Sequence, residues 1–431
     1  MRVAACAGLT MILTFISTSV QADNPLRDNS PSDVGEASFE DFADPEIEWQ
    51  ANASQHPGCG VTCGTCPLPV FHQVERMWAQ MDYVQMWSTG NRLPPLVTTS
   101  PPNTPRAEAG VLGLDSTAIL LGNQRVDDDV RSGGRITAGF WLCDCQCWGV
   151  EASWFSLDEG DSTNFGESSD GPPILARPFF NVGLNAQDSQ LVAFPDVVSG
   201  QIGVLTNSDI DSGGVVVRRL WRCSPQGRMD LLFGYRYMGF DEELLIRENL
   251  VSTNPGGVLL QGTTFDVFDQ FDTENDFHGV DLGVALKLTN GCLTFDATAK
   301  LAVGAVHQQL DVRGGTTVTV PNELPVSSNG GLLALPTNIG PYDNTEFGLL
   351  PELDLQLQYC LRRGVSLSVG YSLMVLNNVL RTGDQIDLSL DATNLPTASD
   401  AGAAGLGRPE AQLRDTALWL QGLNFGVELR R

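Results

Sequence analysis

The sequence predicts an all-β chain folded as a single up-and-down antiparallel transmembrane β-barrel of about ten strands, with twelve as the alternative count. Segments of alternating apolar and polar residues recur from residue 76 onward, and the links between them are alternately short and long. The chain of 431 residues also holds 45 glycines and 24 prolines, a supply of turn formers that favours strands and loops over helices. Period-two alternation alone fits a soluble sandwich as well as a barrel, because it says only that one face is apolar and the other wetter. The rest of the chain separates the two.

The N-terminus carries Arg2, an apolar run over residues 3–16, and small residues Val20 and Ala22 before Asp23. An apolar core of about 14 residues is too short to span a bilayer and fits a secretory signal peptide, so residues 1–22 are expected to be removed. No later window reaches the roughly 18 to 20 apolar residues of a spanning helix, which leaves strands as the only way across a membrane. Residues 23–73 are acidic, dotted with proline and without periodicity, and are expected to form a flexible segment. Residues 74–431 form the expected barrel.

Ten alternating segments follow, at 76–88, 134–143, 147–157, 213–223, 228–241, 276–290, 292–311, 346–361, 365–380 and 417–429. The fifth sorts Met229, Leu231, Phe233, Tyr235 and Tyr237 against Asp230, Leu232, Gly234, Arg236 and Met238. The sixth sets Val280, Leu282, Val284 and Leu286 against Asp281, Gly283 and Lys287. The eighth sets Leu353, Leu355, Leu357 and Tyr359 against Glu352, Asp354, Gln356 and Gln358, and the ninth sets Val365, Leu367, Val369 and Tyr371 against serines and Gly370. One row suits lipid and the other a polar lumen. Two segments fit less well: "VVVRRLW" at 215–221 puts arginine on both faces, and Gln421 stands in the apolar row of the last.

Short links fall at 143–147, 223–228, 288–292 and 361–365, and long ones at 89–133, 158–212, 242–275, 312–345 and 381–416. Outer-membrane barrels have this asymmetry, with tight periplasmic turns, long outer loops and an even strand number. Trp78, Trp87, Trp141, Trp148, Trp154, Trp221 and Trp419 lie within or at the ends of these segments and are expected in interfacial girdles. A net charge of −27 argues against nucleic acid as a partner, since phosphates would be repelled.

Several stretches resemble the beta-barrel porin-7 family, outer-membrane proteins known chiefly from planctomycete bacteria. They are "RLPPLVTTSP" (92–101), "GGRITAGFWL" (133–142), "ARPFF" (176–180), "LLFGYRYMGFDEELLI" (231–246), "FDTENDFHGVDLG" (271–283), "LPELDLQLQY" (350–359) and "VGYSLMVLNNVLRTGDQID" (369–387), in that order along the chain. The resemblance implies an exported outer-membrane barrel with membrane lipid and the barrel-assembly machinery as partners, and it supplies no catalytic residues. The chain departs from the usual assembly signal, an aromatic last residue, by ending Glu428, Leu429, Arg430, Arg431.

The wet rows nominate Glu151, Asp230, Arg236, Asp281, Lys287, Asp296, Lys300, Glu352 and Asp354 as lumen-lining residues, together with Arg218 and Arg222. Mixed signs fit either a selectivity ring for small solutes or internal pairing, since a lone buried charge is costly. Width bears on the choice. Open aqueous channels need about 16 to 18 strands, so ten predict a narrow channel or a plug.

The mature chain keeps Cys59, Cys63, Cys66, Cys143, Cys145, Cys147, Cys223, Cys292 and Cys360, the last six at predicted short turns. They are candidates for disulfides in an oxidising compartment, with free thiols or a zinc site as alternatives. Of the four histidines, His56 and His72 precede the barrel, and His278 shares parity with Val280, which places it outward rather than in a triad. No enzyme activity, cofactor or metal is expected. "VDDDV" at 126–130, "DSTNFGESSDG" at 161–171 and the Gly/Ser/Thr/Pro-rich stretch 314–341 are expected to be surface loops. The expected function is a narrow channel or envelope-structural barrel. The alternative is a surface scaffold or adhesion protein whose acidic loops bind envelope partners or divalent cations.

Overall fold

The computed structural model describes residues 76–158, 164–257, 259–397 and 406–431. The expected signal peptide, the acidic segment with Cys59, Cys63, Cys66, His56 and His72, and residues 161–163 lie outside the described residues.

Ten strands close into a ring. In chain order they are β1 (Met77–Ser88), β2 (Val130–Trp141), β3 (Trp148–Leu157), β4 (Val198–Cys223), β5 (Gly227–Ser252), β6 (Thr264–Asn290), β7 (Leu293–Thr319), β8 (Gly340–Arg362), β9 (Val365–Leu380) and β10 (Asp415–Arg430). Each pairs antiparallel with the next, and β1 pairs with both β2 and β10, which removes any free edge from the ring. Two short strands, Asn164–Ser169 on β4 and Val326–Asn329 on β7, lie outside the ring and bring the sheet to twelve. The tightest turns have two residues each, Gly291-Cys292 and Arg363-Gly364. Gly291 at φ 62° and Gly364 at φ 74° supply the left-handed backbone that such turns demand.

Strand length shows how much of the ring lies in lipid. β4 to β7 run 26 or 27 residues, whereas a bilayer-crossing strand needs about 9–11. More than half of each must stand outside the hydrocarbon. The outward rows mark the boundary: Phe233, Tyr235, Val280 and Leu282 are exposed in the lower half, with no protein covering them. That apolar surface ends along one register line, Gly213–Tyr237–His278–Ala305–Phe347, across β4 to β8. Beyond it the outward row turns acidic, with Asp209, Asp241 and Glu274 directly opposite one another and Glu243, Asp272 and Asp311 in the next row but one.

The inward rows invert at the same level. Below the boundary they carry Asp230, Arg236 and Asp281; above it they carry Ile202, Val204, Leu244, Ile246, Phe271 and Leu310, all fully buried. A second sheet covers this apolar wall, made of Val97–Ser100, Ala118–Leu121, Ile174–Asn181 and Ala186–Ala193, with Ser389–Leu390 parallel to the third. Its Val97, Leu121, Leu175, Phe179 and Val192 join the wall in one cluster. At about 1.5–3 kcal/mol per fully buried side chain, that cluster is what lets the outer half stand without lipid.

Several expectations need correction. The links expected at 158–212, 242–275 and 312–345 are mostly strand, because β4 to β8 continue beyond the membrane and because Asn164–Ser169, Val326–Asn329 and two strands of the second sheet fall within them. Residues 164–169 of the acidic stretch are strand rather than loop. Residues 314–319 belong to β7, and Leu332, Leu333, Ala334 and Leu335 are core rather than surface loop. Trp78 and Trp141 are not girdle residues: they face inward and lie against each other with ring centroids 4.9 Å apart. "VVVRRLW" does carry arginine on both faces, Arg218 inward and Arg219 outward over Trp148, while a bulge between Leu220 and Arg222 leaves Arg222 exposed on Trp221 rather than in the lumen. Gln421 does face lipid, where its Oε1 accepts from the Tyr371 hydroxyl at 2.8 Å.

Candidate functional site

The lumen has three storeys. The lowest is a cavity of about 190 Å³ that begins at the turn end of the barrel, at Gln146, Arg228 and Arg430, and ends beneath Phe155 and Met374. Drug-sized ligands occupy about 300–1,000 Å³, so this space suits a handful of waters or a very small solute. Glu151, Asp230, Arg236, Lys287, Asp296, Lys300, Glu352 and Asp354 line it. Asp281 is buried away from it, and its Oδ2 has no hydrogen-bond partner among the described residues.

The lining charges are paired. Arg218 meets Glu151 at 2.5 Å and Asp230 at 3.3 Å, Arg236 meets Glu352 at 3.0 Å, and Lys287 meets Asp296 at 3.2 Å. Arg135 and Asn424 were not singled out from the sequence, although each sits in the wet row of its strand. Arg135 donates to Asp354 at 2.5 Å and to Ser372 at 2.9 Å, and Asn424 donates to Ser372 at 2.8 Å. Gln80 extends the network from β1, donating to Asp82 at 2.8 Å and to Gln356 at 2.9 Å. Ion pairs that satisfy one another brace the wall and leave little free charge to attract a permeating ion.

Above the cavity lies an apolar layer. Met86, Met238, Phe240, Phe277, Val306, Leu350, Leu376 and Leu418 are all at most 1% exposed, and every strand except β2 contributes to the cluster. Inward glycines make the room: a Cβ at Gly279 or Gly348 would fall within 2.7 Å of the Phe277 ring. Among the described residues this layer separates the cavity from the outer half.

The second sheet forms the top storey and is pinned by buried arginines. Arg177 lies against Glu248 and against Asp269 at 2.7 Å, and none of the three side chains exceeds 1% exposure. Gln190 donates to Glu248 at 3.0 Å, and the Leu333 and Ala334 amides donate to Asp269 at 3.0 and 2.8 Å. Arg381 donates to Glu242 at 2.6 Å and to the carbonyl of Gly90 at 3.2 Å, which ties the segment after β9 to the wall and to the link after β1. Burial pushes the Glu242 and Glu248 carboxyls up, and the facing arginines draw each partly back. On the outer surface, above the lipid boundary, desolvation and the neighbouring Glu274, Asp276, Asp209 and Asp211 push Asp241 up to about 6.

Cys143, Cys145, Cys147, Cys223, Cys292 and Cys360 all lie at the turn end, with the Cys143 and Cys145 Sγ atoms 2.7 Å apart. His278 and His307 face outward, His278 Nδ1 lying 2.6 Å from the Tyr235 hydroxyl and His307 Nδ1 3.2 Å from that of Thr345. Among the described residues, no three His, Cys, Asp or Glu side chains converge as a metal site.

A closed ten-stranded ring with an apolar outer belt and a polar lower lumen defines an outer-membrane-type β-barrel. Residues 78–430 match the family described as "Putative beta barrel porin-7 (BBP7)", and the chain belongs to that family. No curated protein matches it in sequence. Among solved structures it is similar to the outer membrane protease OmpT from Escherichia coli (7% identity, TM-score 0.37, 83% of this chain and 97% of that one). It is also similar to the toluene transporters TbuX of Ralstonia pickettii (7%, 0.17, 83% and 90%) and TodX of P. putida (6%, 0.19, 83% and 90%). At these identities and scores, nothing about activity follows.

Proposed function

We propose that this protein is a sealed outer-membrane barrel with an envelope-structural role, anchoring an acidic β-sheet surface outside the cell rather than conducting solutes. The observation that carries this reading is the fully buried apolar layer across the lumen, roofed by the pinned second sheet. A polar solute entering from either side meets this close-packed hydrocarbon layer, where each unpaired polar group costs about 2–7 kcal/mol. On this reading the chain is exported by its signal peptide and folded by the barrel-assembly machinery. Its turn-side cysteines then face the oxidising periplasm and form disulfides there.

A surface-scaffold role is favoured by the opposed carboxylates Asp209, Asp241 and Glu274. Like charges directly across strands are destabilising, so their clustering suits a cationic envelope partner that relieves the repulsion. Liposome swelling tests the sealed state. Proteoliposomes of the folded barrel should swell in a small neutral sugar alcohol no faster than empty liposomes, and rapid swelling would return the protein to the channel class.

A further inference from the structure

Two cysteines stand side by side at the turn end of the barrel. Cys292 is the second residue of the turn between β6 and β7, and Cys360 on β8 is directly across from it. Leu293 faces Tyr359 one step further along, and the Cys360 amide donates to the Cys292 carbonyl at 2.9 Å. Opposed residues that share such a bond have Cα atoms about 5.5 Å apart, inside the roughly 4.4–6.8 Å span that a disulfide bridges. Both residues are exposed, and the Cys360 thiol makes a 3.4 Å contact to the Arg362 carbonyl. A soluble reagent can therefore reach either sulfur.

We propose that Cys292 and Cys360 are a redox-exchanging pair that forms a cross-strand disulfide, tying the β6–β7 turn to the end of β8. The oxidant is a soluble disulfide. The thiolate of one cysteine attacks a sulfur of that disulfide, the S–S bond breaks, and the oxidant's other sulfur leaves as a thiolate that takes up a proton. The second cysteine, deprotonated, attacks the mixed disulfide. The Cys292–Cys360 bond forms and the oxidant's remaining sulfur departs and is protonated, so two electrons have passed to the oxidant, which ends as thiol. A dithiol reductant runs the same steps backward. That the pair meets such an oxidant in the cell rests on the turn side facing the periplasm, as the proposed function has it.

The test uses the full-length folded chain equilibrated with oxidised and reduced glutathione, quenched by alkylation and digested with trypsin without reduction. Cleavage after Lys287, Lys300, Arg313 and Arg362 places the two cysteines in peptides 288–300 and 314–362. The expected product under oxidised glutathione is those two peptides joined, two hydrogens lighter than their sum, and separated by dithiothreitol. Cys143→Ser should leave the joined product intact, while Cys292→Ser should leave Cys360 alkylated or glutathionylated. Full alkylation of both cysteines in wild type under oxidised glutathione, or joining of either to a different cysteine, would overturn the pairing. The same digest on cell envelopes separates the two claims: a link that forms in the purified chain yet is absent from cells refutes the periplasmic orientation and leaves the pair standing.

Discussion

Replacing Arg177 by methionine should release the second sheet from the barrel wall. The change leaves Glu248 and Asp269, both fully buried, without the guanidinium that faces them. Removing one partner of a buried ion pair costs about 3–5 kcal/mol, and each 1.4 kcal/mol is tenfold in an equilibrium. Undocking should therefore become about a hundredfold to a few thousandfold more frequent. Hydrogen exchange read by mass spectrometry reports this, because local opening sets the exchange rate. Residues 174–193 should speed up by that factor at pH 8 while the lower halves of β6 and β7 keep their rates. The effect should shrink toward pH 5, because the orphaned carboxyls escape their penalty by taking up protons. Adding Glu248→Gln and Asp269→Asn should restore most of the protection, since the amides keep acceptors for the Leu333 and Ala334 amides without a buried charge. Wild-type exchange in Arg177→Met at pH 8 would refute the pinning.

The acidic outer wall predicts a pH effect of definite sign. Asp241 has a folded pKa of about 6, above its ordinary 3.8, so the folded state binds the extra proton between those values and stability rises as pH falls from 7 toward 4. Asp241→Asn should raise the melting temperature at pH 8 and flatten that pH response, measured by calorimetry in detergent. In the lipid-facing belt, Tyr371→Phe leaves the Gln421 carbonyl without its donor and should lower urea stability by about 1–3 kcal/mol, whereas Gln421→Leu should be neutral or stabilising. In the lower lumen, Arg135→Leu strands Asp354 and should destabilise by about 3–5 kcal/mol in the same assay.

The ring was legible because most of its lower half obeys one rule, apolar outward and polar or small inward, as in Leu231, Phe233 and Tyr235 against Asp230, Gly234 and Arg236, with Leu232, Trp78 and Trp141 among the exceptions. The outer halves of β4 to β7 were missed because the rule reverses phase there. Phe240, Leu244 and Ile246 point inward while Asp241, Glu243 and Arg247 point outward, and a phase change mid-strand looks in sequence like a strand ending in a loop. Parity also decides tryptophan roles, which position within a segment does not: Trp78 shares a face with Gln80 and Asp82, hence its place in the lumen. No local pattern showed that Leu332 to Leu335 are buried, since what covers them is the wall some 60 residues earlier in the chain. The pairing of lumen charges depends on register between strands far apart in sequence, such as Arg135 with Asp354, so alternation could nominate Asp354 and not its partner.

The central claim is that the apolar layer closes the lumen, and single-channel recording in planar bilayers tests it most directly. Wild-type protein should be electrically silent, while Phe240→Ser with Phe277→Ser, which replaces two of the three phenylalanine rings of the layer with hydroxyls that admit water, should give discrete conductance steps, most clearly in the Arg177→Met background where the roof is loosened. Steady conductance by the wild-type barrel, or silence of the folded triple variant, would contradict the account.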